Sequence, residues 1–339
     1  MAAAWTPPDD VLTRPAPPPD HVIRYGAGPE HVADVRLPGA ISRPAPLVIF
    51  LHGGFWRAAY DRSHTGPLAA ALAAAGYAVC VPEFRRTGQP GGGWPGTFED
   101  VAAAVDRAPA LAREAPGRGV IADGPVLLAG HSAGGHLALW GAGRHLLGPG
   151  SGWHTDTRAR GVVVLAGVSG LTDCYYQGLG NGAAAALMGG GPARFPQRYR
   201  AADPAAMLPL GCPVRLVHGS LDDVVPPAMS QGYAALGRAA GDDTTVAEVP
   251  GASHLDVIDP LSPAWLQVMT AFTDLAPVAL LSPSGASGAC WPGGWPGNGL
   301  GTGDSARRRW ALYARLARMC QSRWGTRPGR LIKTRSGRP

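Results

Sequence analysis

The sequence predicts an α/β protein whose central, mostly parallel sheet is covered by helices on both faces. Two observations predict it. From about Arg24 to residue 276, short strand-like runs alternate with longer helical ones, the signature of strand–helix–strand crossovers. The central run "PLVIFLHGG" is also apolar without alternation, as a strand covered on both faces must be, and "RGVVVLAGVSG" reads as a further strand. At 339 residues and 45% hydrophobic content, the chain can bury a core of that size.

Each element has its own justification. Residues 1–20 hold six prolines and little to bury, so an extended arm is expected there. "HVADVRLP" alternates and stops at proline, which suits an early outer strand. "GPLAAALAAAG" is a helix bounded by glycines, and "YAVCVPEF" is a buried strand. "TFEDVAAAVDRAPALARE" reads as a long helix with Thr97 as its N-cap. "PVLLAGHS" (strand) leads into "AGGHLALWGAGRHLL" (helix). The later pairs are "CPVRLVHGS" with "PAMSQGYAALGRAA" and "TTVAEVPG" with "SPAWLQVMTAFTDLA". Residues 171–211 are too long for a turn and are expected to insert over the sheet edge as a partial lid. Residues 277–339 are Gly/Pro-rich and then Arg-rich, and read as a disordered tail. The expected organisation is therefore an arm (1–20), a catalytic domain (21–276) and a tail (277–339).

Composition narrows the function. The net charge of +6 belongs to the tail, where eleven Arg/Lys face one acid from Pro277 onward, so the rest of the chain carries −4. The main domain thus offers no basic stripe for nucleic acid, although the tail could touch a polyanion. The five scattered cysteines form no CxxC pair and fit reduced thiols better than disulfides or zinc. The N-terminus lacks the basic and apolar regions of a signal peptide, and no apolar run is long enough to span a bilayer. A cytoplasmic protein is expected, with no membrane partner and with homo-oligomerisation left open.

The chemistry concentrates at the predicted carboxyl ends of strands, where ligands of such sheets sit. Gly130 to Gly134 reads G-H-S-A-G between the strand "PVLLA" and the helix "GHLALW". That is the nucleophile-elbow pattern in its required context: a sharp turn lifts the Ser132 hydroxyl clear of the sheet, and glycines allow strand and helix to approach. Ser132 at a helix N-terminus also meets partial positive charge. A serine hydroxyl needs a base, and the base an orienting acid, in the chain order Ser, Asp/Glu, His. "VRLVHGSLDDVVP" presents Asp222 and Asp223, and "EVPGASHLDVIDP" presents His254. The other histidines are poorer candidates for the base: His131 is expected to pack, His136 to be a satisfied buried group, and His218 to lie too near Asp222 to reach the elbow.

A developing oxyanion needs two N–H donors. Ala133 supplies one, and "HGGFW" after an earlier central strand supplies the other from Gly54 or Phe55. Phe55 and Trp56 would then wall the acyl or leaving-group side, with Tyr175 and Tyr176 as further substrate contacts. Glu83, Arg85 and Arg86 are expected to pair with one another or with Asp100, with a substrate carboxylate as the alternative role of Arg85.

"HGGFW", "GHSAGGHLA", "HGSLDDVVP" and "HLDVIDP" together resemble the α/β-hydrolase superfamily, in the HGG-x-W branch of kynurenine formamidase (arylformamidase) and small carboxylesterases, over roughly residues 22–276. The resemblance implies the α/β-hydrolase fold, with Ser132 as nucleophile, His254 as general base and acid, and Asp222 as its orienter. Asp222 is preferred to Asp223 because it opens a D-x-V-V-P pattern resembling the acid loop of such hydrolases. It implies no metal or organic cofactor, and a small ester or activated amide as substrate. N-formylkynurenine is the alternative substrate, and a non-catalytic binder on the same scaffold the alternative of another class. "EFRRTGQPGGGWPGTFED" departs from the branch at a pocket-shaping segment, and the tail has no counterpart in it.

Overall fold

The computed structural model describes residues 11–39, 43–116 and 119–278. The first half of the predicted arm and the tail from residue 279 lie outside the described residues. Within them, eight strands form one sheet in the order β1-β2-β4-β3-β5-β6-β7-β8. These are β1 (His21–Arg24), β2 (Val32–Arg36), β3 (Leu47–Leu51), β4 (Ala78–Pro82), β5 (Leu127–His131), β6 (Gly161–Leu165), β7 (Val214–Gly219) and β8 (Thr244–Val249). β1 and β2 pair antiparallel with each other, as do β2 and β4, and every later pairing is parallel.

The crossover helices are α1 (Gly66–Ala74), α2 (Gly96–Glu114), α3 (Ala133–Gly143) and α7 (Pro227–Ala239), and α8 (Trp265–Leu275) follows the last strand. Between β6 and β7, residues 171–211 fold as α4 (Leu171–Tyr176), α5 (Leu179–Met188), α6 (Pro196–Ala202) and a 3₁₀ turn. Strand side chains alternate between two cores because successive residues point to opposite faces. Leu47, Ile49 and Leu51 pack with Phe98, Leu137 and Trp140, whereas Val48 and Phe50 pack with Leu68, Val268 and Phe272. Both faces of β3 are therefore dry, which is why its sequence does not alternate. An exposed turn with glycines at 148, 150 and 152 separates the end of α3 from β6.

Two local expectations need correction. Thr97 is not the N-cap of α2, which begins a residue earlier after Pro95. Its hydroxyl instead donates to the Arg85 carbonyl at 2.7 Å and accepts from the Gly93 N–H at 3.0 Å, tying the helix start to the preceding turn. Where described, the arm is also anchored: Val11 is buried, Arg14 pairs with Asp259 at 2.5 Å, and Arg36 donates to the Pro17 and Pro18 carbonyls. Proline-rich backbone cannot pair with itself, so its carbonyls need donors from elsewhere.

Candidate active site

β5 runs straight into α3 through Ser132, whose backbone sits at φ 55°, ψ −121°. That left-handed conformation costs of order 1–3 kcal/mol in a non-glycine residue and persists only where its surroundings impose it. Here Ser132 N–H donates to the Leu165 carbonyl at 2.9 Å, and the Ser132 carbonyl accepts from Val168 N–H at 3.1 Å. The flanking glycines are compulsory. A Cβ at Gly130 would lie 2.1 Å from the Gly134 carbonyl oxygen, and one at Gly134 only 2.0 Å from that of Leu51. The Ser132 hydroxyl makes no capping bond to α3.

His254 and Asp222 come from the loops after β8 and β7, and the structure brings them together. His254 Nδ1 lies 2.7 Å from Asp222 Oδ2. The other carboxylate oxygen accepts the Val224 and Val225 N–H groups, each at 2.9 Å. Burial alone would raise the Asp222 pKa, but the hydrogen bonds from His218, His254 and the Val225 N–H outweigh it and hold the carboxyl far below its usual range. Asp223 is exposed and takes no part. The two loops are joined: Leu221 N–H donates to the Ala252 carbonyl at 2.9 Å, Gly251 N–H to Ser220 Oγ at 2.8 Å. Asp256 accepts from both the backbone N–H (2.6 Å) and the hydroxyl (2.8 Å) of Ser253, beside His254.

Sequence reasoning weighed His218 only as a base and missed its contact with Asp222. It does not reach the elbow. Its Nε2 instead lies 3.0 Å from Asp222 Oδ2 and 2.8 Å from the Val225 carbonyl, while Nδ1 meets Ser230 Oγ at 2.7 Å. The four-residue spacing to Asp222 was its available signal. His131 was also under-read. It packs, with its ring 4.6 Å from that of His254, and its Nε2 also lies 3.0 Å from the His254 carbonyl oxygen. His136 bonds the Ala202 carbonyl at 2.9 Å through Nε2 and is walled by Trp56 and Phe98.

The turn after β3 lies against the elbow: a Cβ at Gly53 would sit 3.2 Å from Ser132 Cβ. Gly54, Phe55 and Trp56 all take positive φ (109°, 50° and 56°). The turn is fastened by Arg57 N–H to the Gly54 carbonyl at 3.0 Å and by Thr87 N–H to the Trp56 carbonyl at 2.7 Å. His52 at its root is stacked on Phe84 and held 2.9 Å from Glu83, which also meets Arg86 at 3.3 Å. These bonds hold the Glu83 carboxyl below its usual range against the opposing effect of burial. Ala133 opens α3, where helix geometry leaves its N–H without an intrahelical acceptor.

The aromatic candidates separate. Phe55 is half-buried and abuts the insertion, where a Cβ at Gly180 would meet its ring at 2.6 Å. Arg57 adds a guanidinium bond to the Gly180 carbonyl. Trp56 is 1% exposed and packs edge-on against His136 inside the core, so it presents almost no surface. Tyr175 is half-buried against Tyr199, and Tyr176 is 71% exposed. Arg85 is committed to Asp100 (2.6 Å) and Glu99 (3.0 Å), as a structural charge. A cavity of about 630 Å³ between α2 and the start of β5 is lined by none of the candidate site residues.

The comparisons with known proteins bear on this arrangement. The family model described as BD-FAE, an α/β-hydrolase family, matches residues 33–235. The chain belongs to the BD-FAE family. Its match contains the 53–56 turn, the elbow and Asp222, and ends before His254. A probable isoprenylcysteine alpha-carbonyl methylesterase of Oryza sativa subsp. japonica is 26% identical over 255 residues, or 70% of this chain. The aligned part is 59% of that longer relative. Among solved structures, a truncated carbohydrate esterase from gut microbiota aligns with TM-score 0.63 at 21% identity, covering 79% of this chain and 98% of its own. The inhibited esterase B of Lactobacillus rhamnosis aligns with TM-score 0.59 at 21% identity, covering 77% and 89%. The fold of this BD-FAE chain is thus the α/β-hydrolase fold. No described helix is long and apolar enough to cross a membrane.

Proposed function

We propose that this BD-FAE chain is a serine esterase that cleaves small carboxylic esters through an acyl-enzyme. The observation that carries the reading is the 2.7 Å contact from His254 Nδ1 to a fully bonded Asp222, beside a serine at φ 55° on a strand-to-helix elbow. Asp222 accepts a hydrogen bond from Nδ1–H and so holds the proton on Nδ1, which leaves the lone pair of His254 on Nε2. Nε2 takes the Ser132 proton as the hydroxyl oxygen bonds to the ester carbonyl carbon. The carbonyl π electrons move onto oxygen, and the N–H groups of Ala133 and of Gly54 or Phe55 receive the oxyanion. Collapse expels the alkoxide, protonated by His254, and water then clears the acyl group by the same sequence.

Phe55 and the Gly180 turn form one wall of the proposed pocket, with Tyr175 and Tyr176 farther along the insertion. We take 21–276 as the catalytic unit and the chain as cytoplasmic, in keeping with free thiols at Cys80, Cys174 and Cys212. The rice relative's name makes methyl esters one class to try. The test is hydrolysis of p-nitrophenyl acetate, a methyl ester and N-formylkynurenine by the wild type and Ser132→Ala. Turnover of either ester lost in the variant is expected, and preference for N-formylkynurenine would move the assignment to arylformamidase. No turnover and no fluorophosphonate labelling of Ser132 would replace the enzyme by a binding protein.

A further inference from the structure

We propose that His131 is a positioning residue which, through its Nε2–H bond to the His254 carbonyl, fixes the base loop against the elbow. The inference deepens the esterase reading and rests on it. His131 is the middle residue between Gly130 and Ser132, and so it is rigidly joined to the candidate nucleophile. Its Nε2 lies 3.0 Å from the His254 oxygen, a carbonyl that only accepts, so Nε2 carries the proton. Burial pulls the His131 pKa well below its usual value, with the nearby His254 acting in the same direction, so the ring stays neutral. Nδ1 is then a bare acceptor, sealed from solvent and without a partner.

The same ring touches the third loop. A Cβ at Gly53 would lie 2.9 Å from His131 Nδ1, so the oxyanion turn closes directly onto it. One side chain therefore spaces three segments whose relative placement sets the reaction geometry: the elbow, the turn after β3 and the loop carrying His254. His131 touches no reacting atom. It acts by setting how far His254 stands from Ser132.

Reach, rather than polarity, is the property to test. A glutamine places its Nε2 donor near the position of the histidine Nε2, whereas asparagine reaches only as far as Nδ1. His131→Gln should keep kcat within about threefold of the wild type, while His131→Asn and His131→Leu should lose about 10- to 100-fold, as sub-ångström to 1 Å misplacements do. KM for p-nitrophenyl acetate should change by less than about twofold, because the residue acts on the barrier rather than on binding. A second readout needs no turnover: the low-field proton resonance of His254 Nδ1–H should persist in the Gln variant and broaden or vanish in the other two. Equal behaviour of Gln and Asn, or a Leu variant with wild-type kcat and an unchanged resonance, would overturn the proposal. Failure of the wild type to label with fluorophosphonate would instead count against the esterase reading, and the resonance comparison would still decide the role of His131.

Discussion

Replacing Asp222 by asparagine changes almost nothing in shape but turns the oxygen shared by His254 and His218 into a donor. The amide oxygen can still accept the Val224 and Val225 N–H groups at 2.9 Å, so the acid loop should keep its fold. The amide nitrogen then stands where Oδ2 was, 2.7 Å from His254 Nδ1 and 3.0 Å from His218 Nε2, and sets donor against donor at both, though His218 keeps its bond to the Val225 carbonyl. His254 relieves the clash by moving its proton to Nε2, the tautomer that cannot take a proton from Ser132. On the proposed triad the expected loss is about 10⁴ in kcat, the size that this tautomer change has in a Ser-His-Asp hydrolase, or about 5.5 kcal/mol in barrier height. The assay is kcat on p-nitrophenyl acetate for the wild type, Asp222→Asn and Asp223→Asn, with Ser132→Ala as the blank. Asp223 is exposed, and its variant should stay within about twofold, as surface changes away from a site do. An Asp222→Asn enzyme retaining more than a tenth of wild-type turnover, or an Asp223→Asn enzyme falling as far, would refute the reasoning.

Gly134→Ala puts a methyl 2.0 Å from the Leu51 carbonyl oxygen, so a loss of about 2–3 kcal/mol in urea denaturation is expected, with activity falling alongside it. Gly180→Ala places a Cβ 2.6 Å from the Phe55 ring at a residue with φ 58°; kcat/KM should fall about tenfold while the melting temperature drops by only a few degrees. Burial depresses the pKa of His64 and of His136 from 6.5 to about 4. The unfolded chain then binds protons that the native one refuses, so their contribution is complete above pH 6.5 and is lost as pH falls toward 4. Each accounts for roughly 3 kcal/mol of that loss. Denaturation midpoints measured from pH 8 to 4 should fall through this window and fall less in His136→Gln; a flat profile would contradict the assignment.

Much of this was legible because the physics is local. A continuous apolar run marked β3, and the glycine spacing around Ser132 reflects a backbone collision visible in the sequence as G-x-S-x-G. The order of Asp222 and His254 followed from chain direction and strand ends. What was not legible depends on partners distant in sequence. Thr97 resembles an N-cap in its own window, but the Arg85 carbonyl and the Gly93 N–H claim its hydroxyl. Trp56 reads as a pocket wall beside Phe55, yet the positive φ of both residues turns it into the core against His136. β1 is only four residues long and has one buried side chain, too little for a periodic signal. The helices of 171–211 are short and glycine-broken, with Gly180, Asn181 and Gly182 all at positive φ, so no helical period survives there.

The strand order has a consequence for how this site could be taken apart. The exposed turn at residues 148–152 falls between β5 and β6, which pair directly in the middle of the sheet. A break there would leave Ser132 and the 53–56 turn on one polypeptide and Asp222 with His254 on the other. Neither piece holds the proposed nucleophile together with its proposed base, so each alone should be inert. Recovery of ester hydrolysis on mixing would then report a single event, the re-pairing of two parallel strands at the centre of the sheet. Fused to two other proteins, the halves would turn association of those proteins into a colour change.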